Sequence, residues 1–244
     1  MKLTMDNVMI EITRKCNMSC EHCLRGDAQR KELSDKDIDT FFSKVFYIST
    51  LAITGGEPSL APHKINTIID CAKKYGVGIG NFYIATNAKV ITNDFLLAVM
   101  RLYCYCDENE LSSLNYSNDD YHDEITDENI KRLSVFSFAG PRYNTPPRQG
   151  EYELNEGRAR ENGIGSHDLD KVHFNDLESH IYLNAHNDDI HITQMDVYLN
   201  AKGNITSNCD LSYKNQDKKQ NIICHVDDMT GQAFIDYVKK FIKE

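Results

Sequence analysis

The 244-residue sequence has no tryptophan and only five prolines. Its aromatic bulk comes from 13 Tyr and 10 Phe, and 41% hydrophobic with 26% charged residues is the composition of a globular protein with a sizeable core. No apolar run approaches the roughly 18 residues that a membrane-spanning helix needs. The first residues, Met1-Lys2-Leu3-Thr4-Met5-Asp6, lack the apolar core of a secretion signal, so a cytoplasmic location is expected. Basic charge is in deficit: 27 Lys+Arg against 37 Asp+Glu give a net charge of −10. That argues against bulk nucleic-acid binding, which needs a basic footprint. Eight cysteines could pair in a secreted protein, but without an export signal a reducing compartment and metal ligation are the expectation. Internal repeats and low-complexity tracts are absent.

A further absence is the most informative. Cys16-Asn17-Met18-Ser19-Cys20-Glu21-His22-Cys23 places three cysteines on one loop, Cys16, Cys20 and Cys23, with no fourth beside them. Structural zinc sites and electron-transfer clusters close their shell with four protein ligands. Three thiolates can hold three irons of a 4Fe–4S cluster and leave one iron open to a substrate or cosubstrate, which points to an enzyme.

Hydrophobic patterning places that loop in an α/β chain. Strands are expected at residues 8–13, 51–54, 77–85, 110–116 and 134–138. Helices are expected from the Ser34 cap over roughly 15 residues, at Pro62–Tyr75 with Gly76 as C-cap, at 94–103 and at Asp127–Leu133. The alternation predicts βαβ units around a parallel sheet, and ligands of such sheets bind at the carboxyl ends of the strands. Residues 140–166, with Pro141, Pro146 and Pro147, read as mostly loop. Residues 190–200, the turn 201–204 and residues 205–207 read as a hairpin. A polar stretch at 210–220 then leads to a final helix at 230–243.

Cys16-x3-Cys20-x2-Cys23 after a first strand, with the aromatic His22 before the last cysteine, resembles the radical S-adenosylmethionine (radical SAM) superfamily. Gly55-Gly56-Glu57-Pro58 at the end of the second strand resembles its second signature. The resemblance covers about residues 6–160. It implies a partial (β/α)6 TIM-like barrel of about six parallel strands over residues 1–160, with residues 161–244 as a small twitch-like hairpin-and-helix extension. It also implies one 4Fe–4S cluster on the three cysteines, with Gly55, Gly56 and Glu57 binding the amino group of S-adenosylmethionine. Thr86-Asn87-Ala88 is similar to the TNG that closes the third strand in the family, with Ala in place of Gly. Ser117 and Asp119 are candidates for the cosubstrate's ribose or carboxylate, against a plain turn or cap. Gly157-Arg158-Ala159 resembles a run in peptide-modifying members, which makes Arg158 a candidate partner for the cosubstrate carboxylate.

Cys209 and Cys224 fall short of the ligand set for a second iron–sulfur cluster, so one is not expected. Either thiol is a candidate hydrogen donor to a substrate radical, with buried inert thiols as the plainer reading; Cys71 reads as core. Five of the nine histidines (His167, His173, His180, His186 and His191) crowd one region without a ligand spacing, and read as hydrogen-bonding or solvated. The role of His122 is open.

The expected function is reductive cleavage of S-adenosylmethionine to a 5′-deoxyadenosyl radical that takes hydrogen from a substrate, with a flavodoxin or ferredoxin as reductant. A ribosomally made peptide is the expected substrate. Only 15 residues precede Cys16, so a separate leader-binding partner is expected with it. The alternatives are a glycyl-radical enzyme activase, a nucleotide- or small-molecule-modifying enzyme, and a non-enzymatic iron–sulfur redox sensor.

Overall fold

The computed structural model describes residues 1–119, 121–142, 154–169, 174–186 and 188–242. Pro146, Pro147 and His173 lie outside the described residues. Strands and helices alternate as β1 (Leu3–Thr13), α1 (Asp35–Lys44), β2 (Val45–Gly55), α2 (Pro62–Tyr75), β3 (Gly78–Thr86), α3 (Asn93–Tyr103), β4 (Ser113–Tyr116), α4 (Asp127–Leu133) and β5 (Ala139–Pro141). A short helix α5 (Gly157–Glu161) follows. The chain continues through β6 (Ile181–Asn184), β7 (Asp189–Leu199), β8 (Asn204–Thr206), α6 (Tyr213–Gln216), β9 (Cys224–His225) and α7 (Gly231–Phe241).

Local chemistry sets the boundaries. Ser34 Oγ accepts the Asp37 amide at 3.0 Å and starts α1. That helix has 10 residues, fewer than expected, because the β-branched and aromatic run from Val45 enters β2 directly. Gly76 ends α2 at φ 65°, a left-handed turn that glycine adopts without steric cost.

Two expected strands differ from the fold. Residues 134–138 form successive turns, with the Phe136 amide bonded to Leu133 O and the Ala139 amide to Phe136 O, while Phe138 O accepts the Leu114 amide at 3.1 Å just before β5 begins. Phe136 stacks on Phe138 at 5.0 Å and Phe138 on Tyr103 at 4.3 Å, a packing role that the aromatic run also satisfies. The strand itself is β5. Residues 109–111 form a 3-10 turn, which shortens β4 to Ser113–Tyr116.

The strands join one sheet in the order β5-β4-β3-β2-β1-β7-β8-β9, with β6 also on β7. Strands β1 to β5 run parallel, and β7 is parallel to β1 on its other side, giving six parallel strands among the described residues. Strands β6, β8 and β9 add antiparallel pairings. This is the partial TIM-like barrel, and residues of the expected extension contribute β6 to β9 to the same sheet.

The two faces of the sheet differ. The paired rows Val8–Leu51–Phe82 and Ile10–Ile53–Ile84 are buried in the hydrophobic core, which includes Phe41, Ile68 and Val99 from the helices. Burying each such side chain contributes about 1.5–3 kcal/mol. The alternate rows are Asn7–Thr50–Asn81 and Met9–Ala52–Tyr83, with Asp196 and Tyr198 paired to Asn7 and Met9. Most of these residues stay partly open. One step below, the apolar row Met5–Ile48–Ile79 is fully buried. The inner face is therefore a cup with an apolar floor and walls of mixed polar and apolar side chains.

Candidate active site

The cysteine loop leaves the end of β1 at the rim of this cup. Cys16, Cys20 and Cys23 are free and half-buried. Two contacts hold the loop's first end. The Gly56 amide bonds Thr13 O at 2.8 Å, and the Glu57 amide bonds Lys15 O at 2.8 Å. A Cβ at Gly55 would lie 2.1 Å from Thr13 O, and one at Gly56 would lie 2.2 Å from Lys15 O. The glycine pair is thus what lets the end of β2 seat against the chain entering the cysteines.

Glu57 serves this seam with its side chain. It is 2% exposed, and its carboxylate accepts the Ser59 amide at 2.9 Å, Thr86 Oγ1 at 2.6 Å and the Asn87 amide at 2.8 Å. Burial pushes its pKa up, and these donors oppose the shift. Asn87 carries the link onward: its Nδ2 donates to Asn17 Oδ1 at 2.9 Å and lies 3.9 Å from Cys16 Sγ. Ala88, next in the chain, has φ 53°.

The loop's far end is gripped by another element. The Arg158 amide donates to Cys23 O at 2.9 Å. Gly157, at φ 53°, sits where a Cβ would meet Leu24 O at 2.4 Å. The Arg158 guanidinium lies 3.8 Å from the exposed Asp27 carboxylate. Ser117 is buried, with its amide on Thr86 O at 3.0 Å. Asp119 accepts from the Tyr121 amide and contacts His122 Nδ1 at 2.6 Å. His22 packs against Tyr121 at 4.5 Å and His122 at 5.0 Å, which places His122 at the rim of the loop. His22 Nδ1 is buried without a hydrogen-bond partner among the described residues.

The thiols fit a cationic iron–sulfur group by their chemistry. Burial pushes Cys16 up, and Glu57 and Cys23 add to the shift; burial and the charges of Cys23 and Cys16 push Cys20 up to about 11. Three thiolates on this loop repel one another, and bonding to iron removes that cost. Among the described residues no three His, Cys, Asp or Glu side chains converge on a single-ion site.

The other candidates separate. Cys209 lies 3.7 Å from Asp196 Oδ2 and 3.5 Å from Asp210 Oδ1, and burial with these carboxylates pushes it up to about 12. Cys224 is on β9, pushed up to about 11 by burial. His191 bonds Asp6 at 2.8 Å and Tyr182, while His180 packs edge-on against Phe174.

Sequence reasoning did not single out the buried polar group behind the loop. Arg14, fully buried, donates to Glu11 Oε1 at 2.6 Å, Gln29 Oε1 at 3.1 Å and Gln216 Oε1 at 2.7 Å, and stacks over Tyr213 at 4.5 Å. Glu11 also accepts Tyr198 OH at 2.7 Å and the Ala201 amide at 2.9 Å. Arg25 lies over the Tyr198 ring and donates to Leu211 O at 2.7 Å. Two charges at the carboxyl end of β1, Glu11 and Arg14, were the available signal; α6, inside the polar 210–220 stretch, gave none.

No family model matches the chain, and no curated protein matches it in sequence. Solved structures do match in fold. BtrN in complex with AdoMet and 2-DOIA aligns with TM-score 0.50 and 13% identity, over 99% of this chain and 88% of that one. Native anSMEcpe with AdoMet and the Cp18Cys peptide gives 0.48 and 13%, over 99% and 82%. Streptococcus suis SuiB bound to precursor peptide SuiA gives 0.42 and 12%, over 95% and 64%. The cup-shaped parallel sheet, with the three-cysteine loop at its rim, shares its overall fold with BtrN.

Proposed function

We propose that the chain is a radical SAM enzyme whose Cys16, Cys20 and Cys23 hold a 4Fe–4S cluster with one open iron. The observation that carries this reading is the seam of Gly55, Gly56 and Glu57 against Thr13 and Lys15, which fixes a glycine turn beside a three-thiol loop at the strand ends. When bound, the cluster supplies the electron that cleaves S-adenosylmethionine and starts hydrogen abstraction. BtrN, which has this fold, is described with AdoMet bound.

The residues take the following roles. Gly55 and Gly56 give the cosubstrate's amino group close access to backbone, while Glu57 holds the turn through Thr86 and Asn87. Asn87 orients the loop through Asn17. His22, Tyr121 and His122 form an aromatic wall suited to a flat base. Ser117 and Asp119 offer hydroxyl and carboxylate groups to a ribose. Arg158 holds the loop by its backbone, and its guanidinium is within reach of a carboxylate. Cys209, kept as a thiol by burial and two carboxylates, is in the form that a hydrogen donor needs; Cys224, also pushed up, is the weaker candidate because its strand lies at the sheet's edge.

The proposed substrate is a ribosomally made peptide, on the resemblance of Gly157-Arg158-Ala159 and of the β7–β8 hairpin, with a separate leader-binding partner and a flavodoxin or ferredoxin as reductant. A small polar molecule is the second reading, favoured by the uncharged wall Asn7–Thr50–Asn81 with one carboxylate, Asp196. Equilibrium dialysis tests the site. S-adenosylmethionine should bind the iron-reconstituted protein and not its Cys16→Ala/Cys20→Ala/Cys23→Ala variant; equal binding to both contradicts the assignment.

A further inference from the structure

A cavity of about 600 Å³ opens beside the far end of the cysteine loop. One wall is the loop's exit at Arg25, Asp27 and Gln29; the others are α5 with Glu156, and α6 with its flanks. The Tyr213 amide donates to Arg25 O at 3.0 Å, so wall and loop are stitched together. Burial, with the Glu11 carboxylate adding to it, pushes the Tyr213 phenol pKa up. Its hydroxyl is buried without a partner among the described residues.

The cavity's charge differs from that of the whole chain. Its lining carries three carboxylates and four cations. Glu156 is buried, and its carboxylate accepts the Ser212 amide and Asn215 Nδ2. Asp27 faces Arg158. Arg25 is held by Tyr198 and Leu211. At the rim this leaves Glu161 against Arg160, Lys214 and Lys218, all exposed. None of these three cations makes an ion pair among the described residues. On a chain of net charge −10, a rim with these three cations against one carboxylate favours the approach of an acidic partner.

We propose that this cavity is the docking surface of an acidic, low-potential electron-carrier protein. The inference rests on the cluster assignment to Cys16, Cys20 and Cys23. Only Leu24 separates Arg25 from Cys23, so a carrier seated on the cavity reaches the cluster through the loop itself. The carrier is oxidised by one electron and the cluster reduced by one; no bond or proton is exchanged.

The test compares two reductants of the reconstituted protein by stopped-flow bleaching of the cluster. One is an acidic flavodoxin in its hydroquinone form, the other is dithionite. Arg160→Glu/Lys214→Glu/Lys218→Glu should slow reduction by flavodoxin about tenfold or more at low salt and leave reduction by dithionite unchanged. The wild-type flavodoxin rate should fall as salt rises. An unchanged flavodoxin rate in the variant, a salt-independent wild-type rate, or equal losses with both reductants would overturn the docking surface. Absence of any cluster absorbance in the wild type is a different failure, that of the cluster assignment.

Discussion

Arg14 Nε and Glu11 Oε1 meet at 2.6 Å with both side chains fully buried, three residues apart across the end of β1. A buried pair is not in itself a source of stability, but breaking one leaves an uncompensated charge. Arg14→Met should therefore destabilise the protein by about 3–5 kcal/mol in urea denaturation. Adding Glu11→Gln removes that charge and keeps an acceptor for the Ala201 amide, with its NH2 turned to the Tyr198 hydroxyl, which can accept, so the double variant should regain part of the loss. A loss below about 1 kcal/mol for Arg14→Met would show that the network is not what holds the loop's base.

Glu57 links the glycine turn to the end of β3. Glu57→Gln keeps the shape but turns an amide NH2 toward a backbone N–H or the Thr86 hydroxyl, at a cost of about 1–3 kcal/mol. Because Asn87 then loses its anchor, iron retained per chain after anaerobic reconstitution should fall with the melting temperature. Full iron loading at unchanged melting temperature would contradict the link.

Ala88 is strained where glycine is not. At φ 53° a non-glycine residue pays about 1–2 kcal/mol, partly offset because glycine gains entropy in the unfolded chain. Ala88→Gly should raise stability by about 0.5–1 kcal/mol in denaturant titration. A loss of stability would mean that packing of the buried methyl outweighs the backbone strain.

His22 makes the iron-free protein acid-sensitive. Burial first, then His122, pushes its pKa down to about 4, against a pull upward from Asp119. A base depressed in the folded state is protonated first in the unfolded chain, so its contribution is present above about pH 6.5 and is lost as pH falls toward 4. After discounting for partial exposure, the loss is about 1–2 kcal/mol. With a chelator present, His22→Phe should lose less stability than wild type between about pH 7 and pH 4.5. Parallel pH profiles would contradict the shift.

Much of the fold was legible because burial is written in alternation. Residues 8–13 and 77–85 carry period-two apolar patterns, and Ser34 and Gly76 mark helix ends through single-residue chemistry. The cysteine loop and the glycine turn were legible because each needs particular residue types. Their glycines turn out to be required by the approach of Thr13 O and Lys15 O, a three-dimensional constraint that no spacing reports. The place of β7 beside β1, the role of Gly157 against Leu24, and the convergence of Arg14 with Gln216 were not legible. Each joins residues more than a hundred positions apart through groups that carry no local pattern.

The central claim is that three thiols and a glycine turn form one site for S-adenosylmethionine cleavage. The most direct measurement is 5′-deoxyadenosine formation by the anaerobically reconstituted protein with S-adenosylmethionine and dithionite. Wild type should form it, and the Cys16→Ala/Cys20→Ala/Cys23→Ala variant should not. An iron-loaded wild type that binds S-adenosylmethionine and forms no 5′-deoxyadenosine would contradict the account and favour the sensor alternative.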